Sequence, residues 1–164
     1  MKKNNIGLRL IACLVVTTAL FVNSCNPLTN APDIPLKPGE STATISGFGD
    51  FSAVNTQVTD GGSTYTIIAS QSTPTDTVSI TLLVKKLPVP PYSITFSTDA
   101  VSQMVYCKLQ SNGTCLKYAV QQGIGSGSLQ ITSISPRVEG TFSGTFQGLT
   151  GNVTITDGKF NASF

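Results

Sequence analysis

From Thr42 onward, apolar residues recur at every second position of the chain, with polar residues between them. A period of two places alternate side chains on opposite faces of a β-strand, whereas a helix needs a period of about 3.6. The pattern therefore predicts an all-β fold in which each strand has one apolar face. The alternating sets are Val78, Ile80, Leu82 and Val84; Tyr65, Ile67 and Ala69; Tyr92, Ile94 and Phe96; Leu116, Tyr118 and Val120; Val138, Phe142 and Phe146; Val153 and Ile155; and Phe160, Ala162 and Phe164.

Short breaks rich in glycine, proline or polar residues separate these sets, as at residues 60–62, 72–74 and 157–158. Parallel strands need crossovers of a dozen or more residues, so connections this short predict a largely antiparallel sheet. We expect residues 41–164 to form a single β domain, an antiparallel β-sandwich of about 8–10 short strands. The alternative is a small closed β-barrel of the lipocalin type, which buries the same faces by closing one sheet.

One predicted strand carries glycine at positions where large side chains are expected. Gly140 and Gly144 fall in the same alternation as Phe142 and Phe146. Glycine inside a strand marks a bend or a close approach of another backbone. The spacing therefore predicts close packing or a bend in this strand.

The first 24 residues have the composition of an export signal. Lys2, Lys3 and Arg9 make a positive start, and an uncharged apolar stretch follows at residues 10–22. This stretch is too short to cross a bilayer, which takes about 20 apolar residues. We therefore expect residues 1–24 to be a cleaved signal peptide, with Cys13 inside it.

The segment Val22-Asn23-Ser24-Cys25 resembles the lipobox of bacterial lipoproteins, in which an aliphatic and then a small residue precede a modified cysteine. The resemblance implies that Cys25 is lipidated. Asn23 departs from the small residue usual at its position, which leaves cleavage by ordinary signal peptidase as the alternative. More than one acyl chain would attach the protein stably to a membrane, because each buried CH₂ contributes about 0.8 kcal/mol.

Four prolines lie between Cys25 and Glu40. Their spacing forbids a helix and favours an extended chain of about 3.1 Å per residue, so the segment can reach up to about 45 Å from a bilayer. We expect residues 25–40 to be the lipidated cysteine and a Pro-rich tether. The alternative is a docking motif for another protein.

The charge of the chain argues against nucleic acid as a partner. Of the ten Lys and Arg residues, three lie in the signal peptide, which leaves seven basic against eight acidic side chains. No basic stripe remains to neutralise phosphates. Membrane attachment must then come from the lipid on Cys25.

Asn112-Gly113 is a strong hairpin signal, because both residues tolerate the positive φ of a tight turn. A two-residue loop here would leave Cys107 and Cys115 out of register. Directly paired cysteines would be centred on Ser111, which implies an odd-numbered loop, or else a bulge beside the turn. Because these are the two remaining thiols of an exported chain, we expect a Cys107–Cys115 disulfide. The alternative, a redox pair, would need a Cys-x-x-Cys motif, and the sequence contains none.

No histidine occurs in the chain. Its absence removes Ser-His-Asp and Cys-His catalysis and the commonest metal ligand. We therefore expect no catalytic residues, no metal and no cofactor. The remaining acids lie mostly beside Gly, Thr or Pro, where short acids serve turns and caps, although distant loops could still assemble a carboxylate pair. These acids are Asp33, Glu40, Asp50, Asp60, Asp76, Asp99, Glu139 and Asp157.

The stiff apolar segment at residues 87–91 precedes Tyr92 and contains Val89 between prolines. Exposed apolar loops can be contact surfaces, so Val89 and Tyr92 are candidate binding residues. The alternative is a rigid connection that blocks edge-to-edge pairing of sheets.

Residues 125–134, 138–146 and 153–161 carry a resemblance to a known group of proteins. On these residues the chain resembles a family of small Bacteroidota lipoproteins of unknown function. The resemblance implies a β domain in an outer-membrane or periplasmic lipoprotein, and it supplies no catalytic residues.

The same bacteria O-glycosylate a short Asp-Ser/Thr-aliphatic pattern, which Asp76-Thr77-Val78 matches. Thr77 is thus a candidate glycosylation site, although the start of a strand explains these residues equally well.

Lipoproteins sent to the cell surface in this group carry acids just after the modified cysteine, and residues 26–29 carry none. The periplasmic face of the outer membrane is favoured over the cell surface.

Three functions are consistent with these features. The first is a non-catalytic envelope module that binds a protein or glycan partner or has a structural role. The second is a carrier of a small apolar or glycan ligand inside a β-barrel, which needs an unfilled interior. The third and least favoured is a hydrolase that uses dispersed carboxylates.

Overall fold

The computed structural model describes residues 35–164, so the predictions for the signal peptide and for Cys25 lie outside the described range. Eleven strands and no helix occur within it, which confirms the predicted all-β fold. None of the described residues forms a helix long and apolar enough to cross a membrane. The strands are β1 (Glu40–Ile45), β2 (Gly49–Ala53), β3 (Gln57–Asp60), β4 (Thr64–Ser72), β5 (Thr77–Lys85), β6 (Tyr92–Thr95), β7 (Gln103–Leu109), β8 (Cys115–Val120), β9 (Ser126–Ser133), β10 (Val138–Gly148) and β11 (Gly151–Ala162).

All eleven strands belong to one sheet, and its strand-to-strand ladders are antiparallel as predicted. The main path runs β2, β1, β11, β10, β8, β7, β5, β4 and β3. β10 is a branch point, because most of its length pairs with β9 whereas Gln147 and Gly148 at its end pair with β8. β9 in turn pairs with β6. The branch places β6, β9, β10 and β11 side by side.

The sheet curls as a half-barrel. A parallel bridge joins Gln57 in β3 to Ser163, just beyond β11. Two hydrogen bonds support it: the Val58 N–H donates to the Ser163 carbonyl at 2.8 Å, and the Ser163 N–H donates to the Thr56 carbonyl at 3.2 Å. The curl therefore turns the apolar side chains of different strands towards one another. Both the predicted sandwich and the predicted barrel bury their apolar faces in this way.

The predicted alternation is confirmed along the strands. Val78 and Val84 are fully buried, and Ile80 and Leu82 between them are at most 2% exposed. Tyr92 and Leu116 are only partly buried, and Phe164, which follows the end of β11, is 64% exposed. The ring centroid of Phe164 lies 6.3 Å from that of Tyr65 in an edge-on arrangement. The core thus lies on the inner face of the sheet.

The predicted close packing around Gly140 and Gly144 is also confirmed. A Cβ on Gly140 would overlap the Gln130 carbonyl and approach the Phe160 ring within 2.8 Å. A Cβ on Gly144 would lie 2.8 Å from the Ser126 carbonyl oxygen. Both distances are too short for a Cβ contact, so glycine lets β9 and β11 approach β10 closely on both sides.

Candidate functional site

The outer face of β9, β10 and β11 is covered by polar side chains. Ser128 lies opposite Ser143, and Gln130 lies opposite Thr141, across the β9–β10 ladder. Because successive strand residues point to opposite faces, these side chains alternate with core residues such as Phe142. The polar surface and the hydrophobic core are therefore opposite faces of the same strands.

Two hollows of about 640 and 420 Å³ open on this face, and both are lined by Ser128, Ser143 and Thr156. Because they share lining residues, we treat them as one depression and call it the hydroxyl trough. It is the candidate binding surface of the domain. Its polar side chains are Ser93, Ser126, Ser128, Gln130, Thr141, Ser143, Thr145, Thr154, Thr156, Asp157 and Lys159.

A β-bulge shapes the middle of the trough, where the two hollows meet. Thr156 and Asp157 of β11 oppose the single residue Ser143 of β10, so one residue of β11 is extra. Asp157 takes this position with φ 54°, a left-handed conformation that Asp tolerates better than most residues. The bulge redirects the strand and leaves an exposed carboxylate beside the trough.

Two acids outside the trough are held by lysines. Asp60 contacts Lys86 at 2.5 Å, and Asp76 contacts Lys108 at 3.0 Å. The hydrogen bond from Lys86, aided by the N–H of Gly62, lowers the pKa of Asp60 below its usual value. These carboxylates are therefore occupied by local partners.

Asp99 serves a turn, as the sequence predicts for short acids. Its carboxylate accepts the N–H groups of Val101 and Ser102, each at 2.8 Å. Burial by itself would raise the pKa of Asp99, but these N–H groups outweigh it and lower the pKa. Within residues 35–164, no group of three or more side chains could hold a metal ion.

The predicted disulfide between Cys107 and Cys115 is confirmed, with Cα atoms 5.7 Å apart. Cys107 lies opposite Lys117 and Cys115 lies opposite Leu109, so the cysteines are diagonal neighbours rather than direct partners. The connecting loop has an odd number of residues, but it is centred on Asn112 and not on Ser111, so the direct pairing of the cysteines that was considered from the sequence does not occur. In the loop-entropy model this ring contributes about 2.5 kcal/mol to stability.

The two predicted contact residues have different environments. Val89 is 72% exposed in the connection between β5 and β6. Tyr92 is half-buried and packs against the core from the start of β6. Burial raises the pKa of Tyr92, an effect that the Leu87 N–H partly opposes. Val89 is thus accessible to a partner, whereas the Tyr92 ring contributes to packing.

The candidate glycosylation site, Thr77, is the first residue of β5. Its hydroxyl donates a hydrogen bond to Ser72 Oγ at 3.2 Å, and the side chain is half-buried. Thr77 therefore has a structural contact across the β4–β5 hairpin. The candidate lipidation site, Cys25, lies outside the described residues.

Comparison of the chain with protein-family models, with curated proteins and with solved structures gives no match. The hydroxyl trough was not anticipated from the sequence. The available signal was the run of Ser and Thr that alternates with apolar residues from position 126 onward. That run indicates a polar face, but it does not indicate which strands lie together to form a hollow.

Proposed function

We propose that this protein is a non-catalytic binding module, held by lipid on Cys25 at the periplasmic face of a bacterial outer membrane. The observation that supports binding is the hydroxyl trough, an open depression on paired strands whose rim carries Ser and Thr hydroxyls. Side chains carried by a hydrogen-bonded sheet keep their relative positions better than side chains on loops, which suits recognition. The anchor is inferred from residues 22–25.

The positions of the acids support a non-catalytic role. Hydrolysis by a carboxylate pair needs two carboxyl groups about 5–10 Å apart across one cleft. Asp60, Asp76 and Asp99 instead have partners of their own in separate places, and among the acids of residues 35–164 only Asp157 lines the trough.

The filled inner face favours an external ligand over one carried inside the sheet. Ile80 and Phe142, which would line an internal cavity, belong to one cluster of buried hydrophobic side chains. A ligand there would have to displace core residues, each worth about 2 kcal/mol or more on burial. The outer face is therefore the better-supported location for a partner.

Metabolic labelling with an alkyne-tagged fatty acid tests the anchor. We expect the wild-type protein to take up label and to fractionate with membranes, and Cys25→Ser to lose both properties, because serine offers no thiol for the lipid. Cys13→Ser is the matched control, since Cys13 lies in the segment that is removed. Equal labelling of Cys25→Ser and wild type would contradict the anchor.

Capture of the native lipoprotein from envelope fractions tests the binding role. The material that copurifies is analysed separately for protein and for carbohydrate. A partner enriched over a mock capture supports a binding module. Hydrolysis of an envelope polymer by the purified protein would instead favour an enzyme.

A further inference from the structure

We propose that the hydroxyl trough binds a neutral glycan. The inference rests on the proposed binding role but not on the lipid anchor. It follows from the hydrogen-bonding capacity of the trough, from its charge and from its shape.

The hydrogen-bonding groups of the trough match those of a sugar. A Ser or Thr hydroxyl donates one hydrogen bond and accepts two, as a sugar hydroxyl does. The hydroxyls of Thr141, Thr145 and Thr156 have no hydrogen-bond partner among residues 35–164. They are therefore available to a ligand that carries both donors and acceptors at close spacing.

Gln130 and Asp157 add hydrogen-bonding groups of fixed planar geometry to the trough, which can orient a bound ligand. Gln130 offers an amide with two donors and an acceptor, and Asp157 offers a carboxylate that accepts from neighbouring hydroxyls. Both line the larger hollow, with Asp157 held outward by the bulge in β11. A carboxylate accepts stronger hydrogen bonds than a neutral oxygen does, so Asp157 should contribute most to affinity.

The charge of the trough argues for a neutral ligand. Asp157 and Lys159 are its two charged residues, and their charges balance. A polyanion such as nucleic acid needs several cations to replace released counterions. The exposed side chains from Ser126 to Thr132 along β9 are all polar, which suits a ligand that forms hydrogen bonds.

The shape of the trough suits a chain of sugars. On β10 it extends from Thr141 to Thr145, a length of about 14 Å at about 3.4 Å per residue. The larger hollow has the volume of an ordinary ligand site, but it lies open on a sheet face and shares an edge with the second hollow. An open trough can hold an internal segment of a polymer, which a closed pocket cannot.

Binding of the full chain to beads that carry soluble starch, mixed-linkage β-glucan or galactomannan tests the inference. Depletion from solution measures the apparent Kd for each neutral polysaccharide, and beads with polygalacturonate test a charged one. We expect binding to at least one neutral polysaccharide and none to polygalacturonate. Failure to bind any of the three neutral polysaccharides overturns the inference.

Isosteric variants locate the binding surface. The triple variant Thr141→Val, Thr145→Val and Thr156→Val removes three hydroxyls, keeps residues that favour strands, and should weaken binding at least about tenfold. The matched control carries Thr59→Val, Thr66→Val and Thr81→Val on the outer faces of β3, β4 and β5, and should bind as wild type does. Equal loss in both triple variants would overturn the assignment to the trough.

Asp157→Asn provides a second variant whose backbone conformation is preserved, because Asn also tolerates a left-handed φ. It should weaken binding about tenfold, since a charged acceptor is replaced by a neutral one. Wild-type affinity in this variant would contradict the role of Asp157. If no glycan binds while envelope capture still enriches a protein partner, the inference fails and the proposed binding module stands.

Discussion

At the scale of single residues, Tyr106 shows how burial of a titratable group couples stability to pH. Tyr106 is 2% exposed on the inner face of β7, and its ring centroid lies 5.8 Å from that of Tyr118. Burial, with smaller contributions from Tyr118 and Asp76, raises the pKa of Tyr106 to about 12 from an ordinary 10.0. The folded protein therefore favours the neutral phenol.

This shift predicts a loss of stability in alkaline solution. The contribution of Tyr106 is complete below pH 10.0, the unfolded pKa, and is lost as pH rises towards the folded pKa of about 12. Its size is on the order of 2 kcal/mol. Urea unfolding of wild type from pH 9 to pH 12 should show the decline, and Tyr106→Phe should flatten it. An identical pH dependence in the variant would show that other groups cause the decline.

At the scale of elements, β10 determines how three neighbours approach one another. It pairs with β11 on one side and with β9 and then β8 on the other. Gly140 allows this arrangement, because a side chain there would meet the Gln130 carbonyl of β9 and the Phe160 ring of β11. The same close approach brings the outward hydroxyls of β9, β10 and β11 together.

We predict that Gly140→Ala destabilises the fold by about 3 kcal/mol, because a backbone carbonyl in a ladder cannot move aside as a flexible side chain can. Gly61→Ala is the matched control, since the nearest atom to its added Cβ is Thr64 Oγ1 at 3.1 Å, which can rotate away. The control should change stability by less than about 1 kcal/mol. Urea midpoints at constant m measure both, and similar values for the two variants would refute the packing argument.

At the scale of the whole domain, the curl of the sheet depends on a short seam between β3 and the residue after β11. Gln57 and Ser163 form its parallel bridge, and two backbone hydrogen bonds accompany it. The seam joins residues more than one hundred positions apart. The seam therefore places β3, the last strand of the main path, beside the end of β11.

Ser163→Pro should weaken this seam, because proline has no N–H to donate to the Thr56 carbonyl. The expected cost is about 2–3 kcal/mol, and amide exchange at Val58 should become faster. Ser163→Ala keeps the N–H and serves as the control, with a change below about 0.5 kcal/mol. Unchanged exchange at Val58 in the proline variant would show that the seam closes independently of Ser163.

The sequence by itself determined the class of fold, the core and the disulfide partners. Alternation at residues 78–84 identifies a half-buried strand because the period of two is a local property of the backbone. Short connections require antiparallel neighbours because the chain cannot cross over in so few residues. The strands β2 and β3 leave only a weak alternation in the sequence, because they have five and four residues and few apolar positions.

Only the tertiary structure decided which distant strands lie together. The pairing of β1 with β11, the branch at β10 and the bulge at Asp157 bring together residues that no local pattern relates. The hydroxyl trough depends on that pairing, because the Ser and Thr residues of three strands form a hollow only when their registers align. Strand order and register follow from packing the whole core at once, and that physical condition is not contained in any single segment.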